Sequence, residues 1–369
     1  MNRSIRRFDG ARRRVFGGIV VTAIALVASP LAQAETPPPV IRIGIASPSV
    51  GNPPVYTTGT IGLSRQRGLF EEEFAKDGVK VEWFFHKGAG PAVNEGLANK
   101  QFDFVFQGDL PSIIGRGGGL KTRFLLPTDS RQNLYLAVPP DSPIKSVKDL
   151  RGKRVAIFKG TNAQLPANRL LEANGLSERD LKVVNLDNAT AQAALASKDI
   201  DAVLGGFEYL RLRDKGVARI VYSSVSDPRF TRRSGLLVTE EFAERYPETT
   251  TRVVKVVLRS ARWASDEKNR GEVFGAWSLM GYPAEVYQED FIGQPTRVRL
   301  SPLIDPFIIQ RYKEAVEDSY RFRLTRSKFD VEKWFEPKFL RAALKELNLE
   351  NYWTPTDANG KPVAAVAAR

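Results

Sequence analysis

Short apolar runs alternate with helix-like segments from residue 40 to about residue 240, and this alternation limits the possible folds more than any other feature. Runs at 40–45, 79–85 and 102–106 have the length and the apolar residues of buried strands. Gly, Pro, Asn or Asp bounds each run, and these residues end regular elements. Strands and helices in this order predict an α/β fold with open parallel sheets and helices on their faces.

The same pattern begins again after the proline-rich segment 139–143. Further strands are predicted at 154–158 and 202–204, with helices between them. A second α/β domain is therefore predicted to be inserted near the middle of the chain. One more strand follows at 235–239, and the remainder is mainly helical, with a long helix at 247–268.

The first 34 residues have the composition of a secretory signal. Six arginines against one aspartate precede an apolar run at 16–31, which ends at the small-x-small sequence Ala32-Gln33-Ala34. The run is shorter than the ~20 residues that span a bilayer. We expect cleavage after Ala34, and an uncleaved membrane anchor is the alternative. The pair Arg13-Arg14 leaves the ordinary secretory route and the twin-arginine route both open.

Cysteine is absent from the sequence, and histidine occurs once, as His86. The chain therefore has no disulfide, no cysteine nucleophile and no residue to which an N-terminal lipid could be attached. One histidine without cysteine does not make a zinc site of the usual ligand spacing, and no Walker loop or dinucleotide-binding motif is present. We expect no metal and no cofactor, and a protein that is free in the periplasm and is not a lipoprotein.

The net charge of +13 raises the question of nucleic acid as a partner. The signal segment contributes +5 of this charge, so +8 remains on the 335 residues that follow it. The lysines and arginines there are scattered, without a basic run interleaved with aromatic residues. We therefore expect a small anionic ligand, and no nucleic acid, as the partner of the exported chain.

Several fragments resemble, in their order and spacing, the periplasmic substrate-binding proteins of ABC transporters that take aliphatic sulfonates, taurine or nitrate. The fragments are residues 88–95, 102–111, 141–156, 159–162 and 199–203. The resemblance implies a type II periplasmic-binding-protein fold, in which two α/β lobes are joined by two crossovers and extra C-terminal helices follow. In this chain it implies lobe 1 at 35–130 plus 233–355, lobe 2 at 131–232 and a flexible tail at 356–369.

The function that the resemblance implies is high-affinity capture of a small organic anion, first of all an aliphatic sulfonate, in the cleft between the lobes. The ligand would be delivered to the permease of an ABC transporter in the inner membrane by a monomer whose lobes close through hinge motion. The chain departs from the family at Gly205-Gly206-Phe207-Glu208-Tyr209, where relatives often have tryptophan, an acid and proline. This departure leaves the identity of the ligand open.

In open sheets, ligands bind beyond the carboxyl ends of the strands, where helix N-termini present free N–H groups to anions. The segments at those positions are 47–51, 108–109 and 160–162. Residues 128–131 lie where the chain is expected to cross between the lobes, and a guanidinium there could grip a sulfonate at two points. The predicted ligand-binding residues are Ser47, Ser49, Gly108, Asp109, Thr128, Ser130, Arg131, Gly160, Thr161, Asn162, Phe207 and Glu208.

Many of these residues also have a purely structural interpretation. Asp109 and Thr161 could cap helices, and the carboxylate of Asp109 would repel an anion. Arg131 could be a surface residue or part of an ion pair across the hinge. Arg232 and Arg233, which precede the returning strand, pose the same question.

Two other functions stay open at the level of sequence. An enzyme on the same fold would act on a sulfonate-like or pyrimidine substrate, although the related sulfinate desulfinases need a cysteine nucleophile that this chain lacks. A serine triad would have to use His86, and no serine lies in a nucleophile-elbow sequence. A sensory module would present its ligand-bound form to a membrane receptor. We expect a binding protein without catalytic residues.

Overall fold

The computed structural model describes residues 35–363. The predicted signal peptide, residues 1–34, and residues 364–369 of the predicted flexible tail lie outside the described residues. Residues 356–363 of that predicted tail are described. Thr356 forms a β-bridge with Pro362, and its amide and hydroxyl donate to Asp305 Oδ2 at 2.8 and 2.6 Å.

The described residues form ten strands, and the strands predicted at 40–45, 79–85, 102–106, 154–158, 202–204 and 235–239 are among them. They are β1 (Val40–Ile45), β2 (Lys80–Phe85), β3 (Phe104–Gly108), β4 (Thr122–Gln132), β5 (Tyr135–Val138), β6 (Arg154–Ile157), β7 (Lys182–Val184), β8 (Ala202–Gly205), β9 (Arg219–Ser223) and β10 (Arg232–Thr239). The longest of them is β4, because it continues past its apolar part into a polar segment at 128–132.

The α-helices of the same part of the chain are α1 (Gly59–Gln66), α2 (Leu69–Phe74), α3 (Ala89–Ala98), α4 (Asp109–Gly117), α5 (Gln164–Ala173), α6 (Asn188–Ala196), α7 (Glu208–Asp214), α8 (Glu240–Arg245), α9 (Pro247–Ala264), α10 (Arg270–Ser278), α11 (Ala284–Asp290), α12 (Thr296–Arg299), α13 (Pro306–Arg321), α14 (Val331–Trp334) and α15 (Pro337–Glu346). The predicted long helix at 247–268 ends earlier, at Ala264. A left-handed glycine, Gly68 with φ of 65°, separates α1 from α2. Between residues 35 and 363, no helix is both long enough and apolar enough to cross a membrane.

The strands form two five-stranded sheets. The order in the first sheet is β2-β1-β3-β10-β4, and the order in the second sheet is β7-β6-β8-β5-β9. The prediction of parallel sheets is confirmed for β1, β2 and β3 and for β6, β7 and β8. It is wrong for β10, which runs antiparallel to β3 and β4, and for β5, which runs antiparallel to β8 and β9. Each of these two strands is the first one after the chain passes from one sheet to the other. It therefore enters its sheet without the helical crossover that parallel neighbours require.

Two passages connect the sheets within the described residues. The first lies between Gln132 and Tyr135, and the second lies between Ser223 and Arg232. The second sheet is thus inserted between the fourth and the last strand of the first sheet. This is the arrangement of two α/β lobes with two crossovers that the sequence predicts.

Helices cover both faces of each sheet with apolar side chains. One face of the first sheet packs on α1, α2, α9 and α15, and the other packs on α3, α4, α13 and α14. The second sheet has α5 on one face and α6 and α7 on the other. Leu165 at the start of α5 is nevertheless fully buried among side chains of the first sheet and α13. The two lobes therefore share an apolar contact at this leucine.

Candidate functional site

The carboxyl end of β3 in the first sheet meets the loop after β6 in the second sheet, and both contain predicted ligand-binding residues. Gly108 ends β3, and Asn162 lies between β6 and α5. A Cβ atom on Gly108 would lie only 2.4 Å from the Cβ of Asn162, and one on Gly160 would lie 2.9 Å from Pro91 Cγ. Gly160 also has φ of 74°, which side-chain-bearing residues rarely adopt. The two lobes therefore touch at this edge through glycines that leave no room for a side chain.

Three helices begin at this edge without a capping hydrogen bond from the side chain that precedes them. They are α3, α4 and α5, which follow Gly88, Gly108 and Ala163. By contrast, the side chain of Asp187 caps α6. The first N–H groups of a helix and its dipole together favour an anion. Three positive helix ends thus point to the region where the lobes meet.

A series of polar side chains leads from the first sheet to the loop before α5. Thr128 Oγ1 lies 3.2 Å from Ser234 Oγ, and Gln132 Nε2 donates to the same hydroxyl at 2.8 Å. Asn162 Nδ2, in the loop after β6, then donates at 3.2 Å to Gln132 Oε1 at the end of β4 in the first sheet. The structure thus connects the predicted residues Thr128 and Asn162. It does so through Gln132 and Ser234, which the sequence reasoning missed because nothing in their neighbourhood separates them from adjacent polar residues.

Arg232 reaches from β10 to the loop after β8. Its Nε donates to the carbonyl oxygen of Asn133 at 3.0 Å. A Cβ atom on Gly206 would lie 2.4 Å from Arg232 Nη2 and 2.6 Å from Glu208 Oε2. Glu208 is buried, and its Oε1 accepts from the Gly206 amide at 3.0 Å. The guanidinium and the carboxylate fill the space beside Gly206, and any larger residue there would displace them.

Three further predicted residues form local hydrogen bonds, and a fourth packs in an aromatic cluster. Ser47 Oγ donates to the carbonyl oxygen of the next residue at 3.0 Å, and Ser49 donates to a carbonyl oxygen of its own loop at 2.9 Å. Thr161 Oγ1 donates at 2.7 Å to the carbonyl oxygen three residues before it. The ring of Phe207 packs 4.9 Å from that of Tyr287 on α11. Phe207 is therefore part of an aromatic cluster with the C-terminal helices.

Ser130 and Arg131 turn away from the polar series of Thr128 and Asn162. Ser130 donates to the carbonyl oxygen of Arg299 at 3.2 Å. The guanidinium of Arg131 lies 4.8 Å from the centre of the Phe307 ring, and burial lowers the pKa of Arg131. Contact between Arg131 and the ligand stays a prediction, and the structure does not bring its side chain to Gly108 and Asn162.

Asp109 and Arg233 form a buried charged pair at the first turn of α4. Asp109 Oδ2 and Arg233 Nη1 are 3.9 Å apart, and both side chains are 1% exposed. Asp109 Oδ1 accepts from the Leu110 amide at 2.8 Å, so the carboxylate satisfies one N–H group of the helix start. Burial raises the pKa of Asp109, and the charge of Arg233 opposes this rise. Burial lowers the pKa of Arg233 to about 10.

Arg299 is the centre of a second buried charged cluster, at the first passage between the sheets. Its Nε lies 3.1 Å from Asp129 Oδ1, and its Nη2 lies 2.7 Å from Asp290 Oδ2. Tyr135 and Asn133, on the other side of the passage, donate to Asp290 Oδ1 at 2.8 and 3.1 Å. Sequence reasoning missed this cluster because Arg299 and Asp290 are distant from the passage in the sequence.

His86 has the surroundings of a structural residue. Its ring packs edge-on to Phe102 with the centres 5.3 Å apart. Burial lowers the pKa of His86, so the neutral form is favoured. Among residues 35–363, no group of three His, Asp or Glu side chains is placed to hold a metal ion.

Known proteins with the same architecture have sulfonate-related names. A Bacillus subtilis (strain 168) protein whose assigned name is aliphatic sulfonates-binding protein is 27% identical over 290 residues, which are 77% of this chain and 84% of that protein. A solved structure from Methylobacillus flagellatus KT, assigned as the periplasmic sulfonate-binding protein of a sulfonate ABC transporter, is 34% identical with a TM-score of 0.74. The match covers 88% of this chain and 99% of that structure.

A more distant structure agrees in fold. It is the alkanesulfonate-binding protein from Xanthomonas axonopodis pv. citri bound to MOPS, with 23% identity, a TM-score of 0.69, and coverage of 83% of this chain and 100% of that one. The NMT1/THI5-like family pattern matches residues 64–269, which is more than half of the chain and includes both passages between the sheets. These matches confirm the resemblance and the two-lobed fold that the sequence predicts. The chain belongs to the NMT1/THI5-like family.

Proposed function

We propose that the protein captures an aliphatic sulfonate in the cleft between its two lobes and delivers it to the permease of an ABC transporter. The observation that carries this proposal is the meeting of three helix N-termini, those of α3, α4 and α5, at the edge where the lobes touch. Helix ends of this kind bind anions through backbone N–H groups without a metal. The name of the Methylobacillus relative supports a sulfonate as the anion.

In this proposal the lobes are residues 35–130 plus 233–355 and residues 131–232, and they close on the ligand by motion at the two passages. Gly108 and the loop 160–162 come from different lobes and lie in contact. They would therefore contact the ligand from both sides. The other predicted ligand-binding residues are Ser47, Ser49, Asp109, Thr128, Ser130, Arg131, Phe207 and Glu208, of which Ser130 and Arg131 point away from this contact.

We also propose that residues 1–34 direct export and that the mature protein works as a monomer in the periplasm. The lack of cysteine supports a form without a lipid anchor.

An enzyme on the same fold would release a product from its ligand, whereas a binding protein would not. When purified protein is incubated with hexane-1-sulfonate, we expect mass spectrometry to find the sulfonate unchanged. Formation of sulfite would replace the transport proposal by an enzymatic one.

Hexane-1-sulfonate is expected to raise the melting temperature of the purified protein in differential scanning calorimetry. A ligand that binds only the native state stabilises it by about 2.7 kcal/mol when its concentration is 100 times its Kd. Hexan-1-ol and hexylammonium have the same chain length without a negative group and serve as matched controls. A shift with either control, together with none for alkanesulfonates, would show that the ligand is not an anion.

A further inference from the structure

Arg233, and two residues whose charges act on it, have buried hydrogen-bond donors without acceptors. The side chain of Arg233 is 1% exposed, and no hydrogen-bond partner is present for its Nε within residues 35–363. The hydroxyl of Tyr312 on α13 is also without a partner there, and Tyr312 is 1% exposed. On α5, Arg169 Nη2 is in the same situation. Three donors from β10, α13 and α5 are thus buried and unused.

The existing contacts of Arg233 are weak for a buried cation. Its two Nη atoms donate to the carbonyl and hydroxyl oxygens of Thr231 at 3.4 and 3.2 Å, and Asp109 is 3.9 Å away. Burial lowers the pKa of Arg233, and the nearby charge of Arg169 lowers it further. A buried charge without close acceptors is costly. The guanidinium of Arg233 therefore has hydrogen-bond donors that are available to bind an anion.

A pocket of about 640 Å³ lies between α5 and α13, and Arg169 and Arg311 are among the residues that line it. Arg311 also has a buried Nε without a partner within the described chain. Four carboxylates also line this pocket, and each is already paired with a basic side chain. The pairs are Asp318 with Arg169, Glu314 with Arg311, Glu172 with Arg321 and Glu317 with Lys328. The atoms that stay without partners on these two arginines, Arg169 Nη2 and Arg311 Nε, are hydrogen-bond donors, and an anion binds to donors.

We propose that Arg233, Tyr312 and Arg169 form an oxoanion site that holds the sulfonate group of the ligand between the lobes. Guanidinium and hydroxyl groups are the donors that bind such oxygens best. Arg233 and Tyr312 belong to the first sheet and its helix, and Arg169 belongs to a helix of the second sheet. A bound oxoanion would thus hold both lobes together. This assignment rests on the proposed function and adds the residues that select the charged group.

One carboxylate, that of Asp109, lies near the site and would oppose an anion. Its oxygen is 3.9 Å from Arg233, which is too long for a hydrogen bond. Burial raises the pKa of Asp109, although the charge of Arg233 opposes this rise. A bound oxoanion would favour the protonated form further, and Arg233 would then be free to bind the oxoanion alone.

Tyr312→Phe is the sharpest test, because it removes only a hydroxyl that has no partner in the folded protein. We expect the melting temperature without ligand to be unchanged or raised, since no hydrogen bond is lost. The Kd for hexane-1-sulfonate, measured by isothermal titration calorimetry, should increase about 10-fold or more. A residue with only a structural role would not change binding while leaving stability intact.

Tyr222→Phe is the matched control. Tyr222 on β9 also has a buried hydroxyl without a partner among the described residues, but its charged neighbours are Asp227 and Arg229. Its Kd for hexane-1-sulfonate is expected to equal that of the wild type. Arg233→Lys keeps the charge and loses the planar guanidinium, and it should weaken binding at least as much as Tyr312→Phe.

Wild-type Kd values in both Tyr312→Phe and Arg233→Lys would overturn the site and leave the proposed function intact. Failure of hexane-1-sulfonate to bind the wild type would instead overturn the proposed function. In that case the site is tested with inorganic sulfate. Sulfate should raise the melting temperature of the wild type and should not raise that of Tyr312→Phe. Equal effects of sulfate on the two proteins, or no effect on either, would overturn the site as well.

Discussion

Arg299→Met is expected to lower the free energy of unfolding by about 3–5 kcal/mol. Arg299 is 2% exposed and is the only cation in hydrogen-bond contact with both Asp129 and Asp290 in the described part of the chain. Methionine fills a similar volume, so the main effect is the loss of charge next to two buried carboxylates. Urea denaturation followed by circular dichroism measures the change.

The matched control is Arg297→Met, two residues earlier on the same helix. Arg297 is exposed and stacks on Tyr352 at 4.0 Å. Its replacement should change the unfolding free energy by less than about 0.5–1 kcal/mol. Equal losses in the two variants would mean that the buried cluster does not stabilise the fold.

The loss of unfolding free energy in Arg299→Met is also expected to depend on pH. Burial raises the pKa of Asp129, and in the wild type the charge of Arg299 opposes that rise. Without Arg299, the folded variant holds a proton on this carboxyl at a pH where the unfolded chain releases it. The folded state then binds more protons, so stability rises as the pH falls. We expect the difference between variant and wild type to be smaller at pH 5 than at pH 7, again by urea denaturation.

Gly108→Ala is expected to raise the Kd for hexane-1-sulfonate by about 10- to 100-fold, because overpacking costs about 1–3 kcal/mol and each tenfold corresponds to 1.4 kcal/mol. Gly108 has φ of −68° and ψ of 166°, which alanine adopts without strain. The added methyl group meets Asn162 only where the lobes touch. The substitution should therefore hinder closure while each lobe folds as before.

Gly275→Ala provides the control for a methyl group added at a glycine. Gly275 lies in α10, and nothing is within 4 Å of the position that its Cβ would take. We expect an unchanged Kd and a gain in stability of about 0.5–1 kcal/mol from the better helix former. If Gly108→Ala binds the sulfonate as tightly as Gly275→Ala does, the ligand-bound lobes do not meet at Gly108.

The positions of the strands could be predicted from the sequence, whereas some of their directions could not. An apolar run marks each strand of the two sheets because burial on both faces requires it. The directions of β5 and β10 depend on how the chain passes between the sheets, and no local pattern records this. The bounds of α10 and α11 could likewise not be predicted, because their buried side chains pack on Leu63 and Phe207 far away in the sequence.

Part of the candidate site could likewise be predicted from local sequence, and part of it could not. Because ligands bind after the carboxyl ends of strands, the sequence could predict that Gly108 and Asn162 lie at one site. Side-chain directions at the first passage could not be counted from the sequence, because the pairing of β10 with β4 shifts register near Arg232 and Ser234. Such bulges break the alternation of strand faces, so Ser130 and Arg131 point elsewhere. The buried donors around Arg233 depend on α13, which comes about 70 residues later in the sequence.

The place of β10 between β3 and β4 has a consequence for how the chain folds. In the first sheet, β4 has β10 as its neighbour, and β10 begins at Arg232, long after β4 ends at Gln132. As the chain emerges, β4 has no strand to pair with until the whole second sheet has been made. Contacts of such long sequence separation form slowly. The inserted lobe, whose strands are contiguous in the sequence, is therefore expected to fold first, and completion of the first lobe is expected to limit the folding rate.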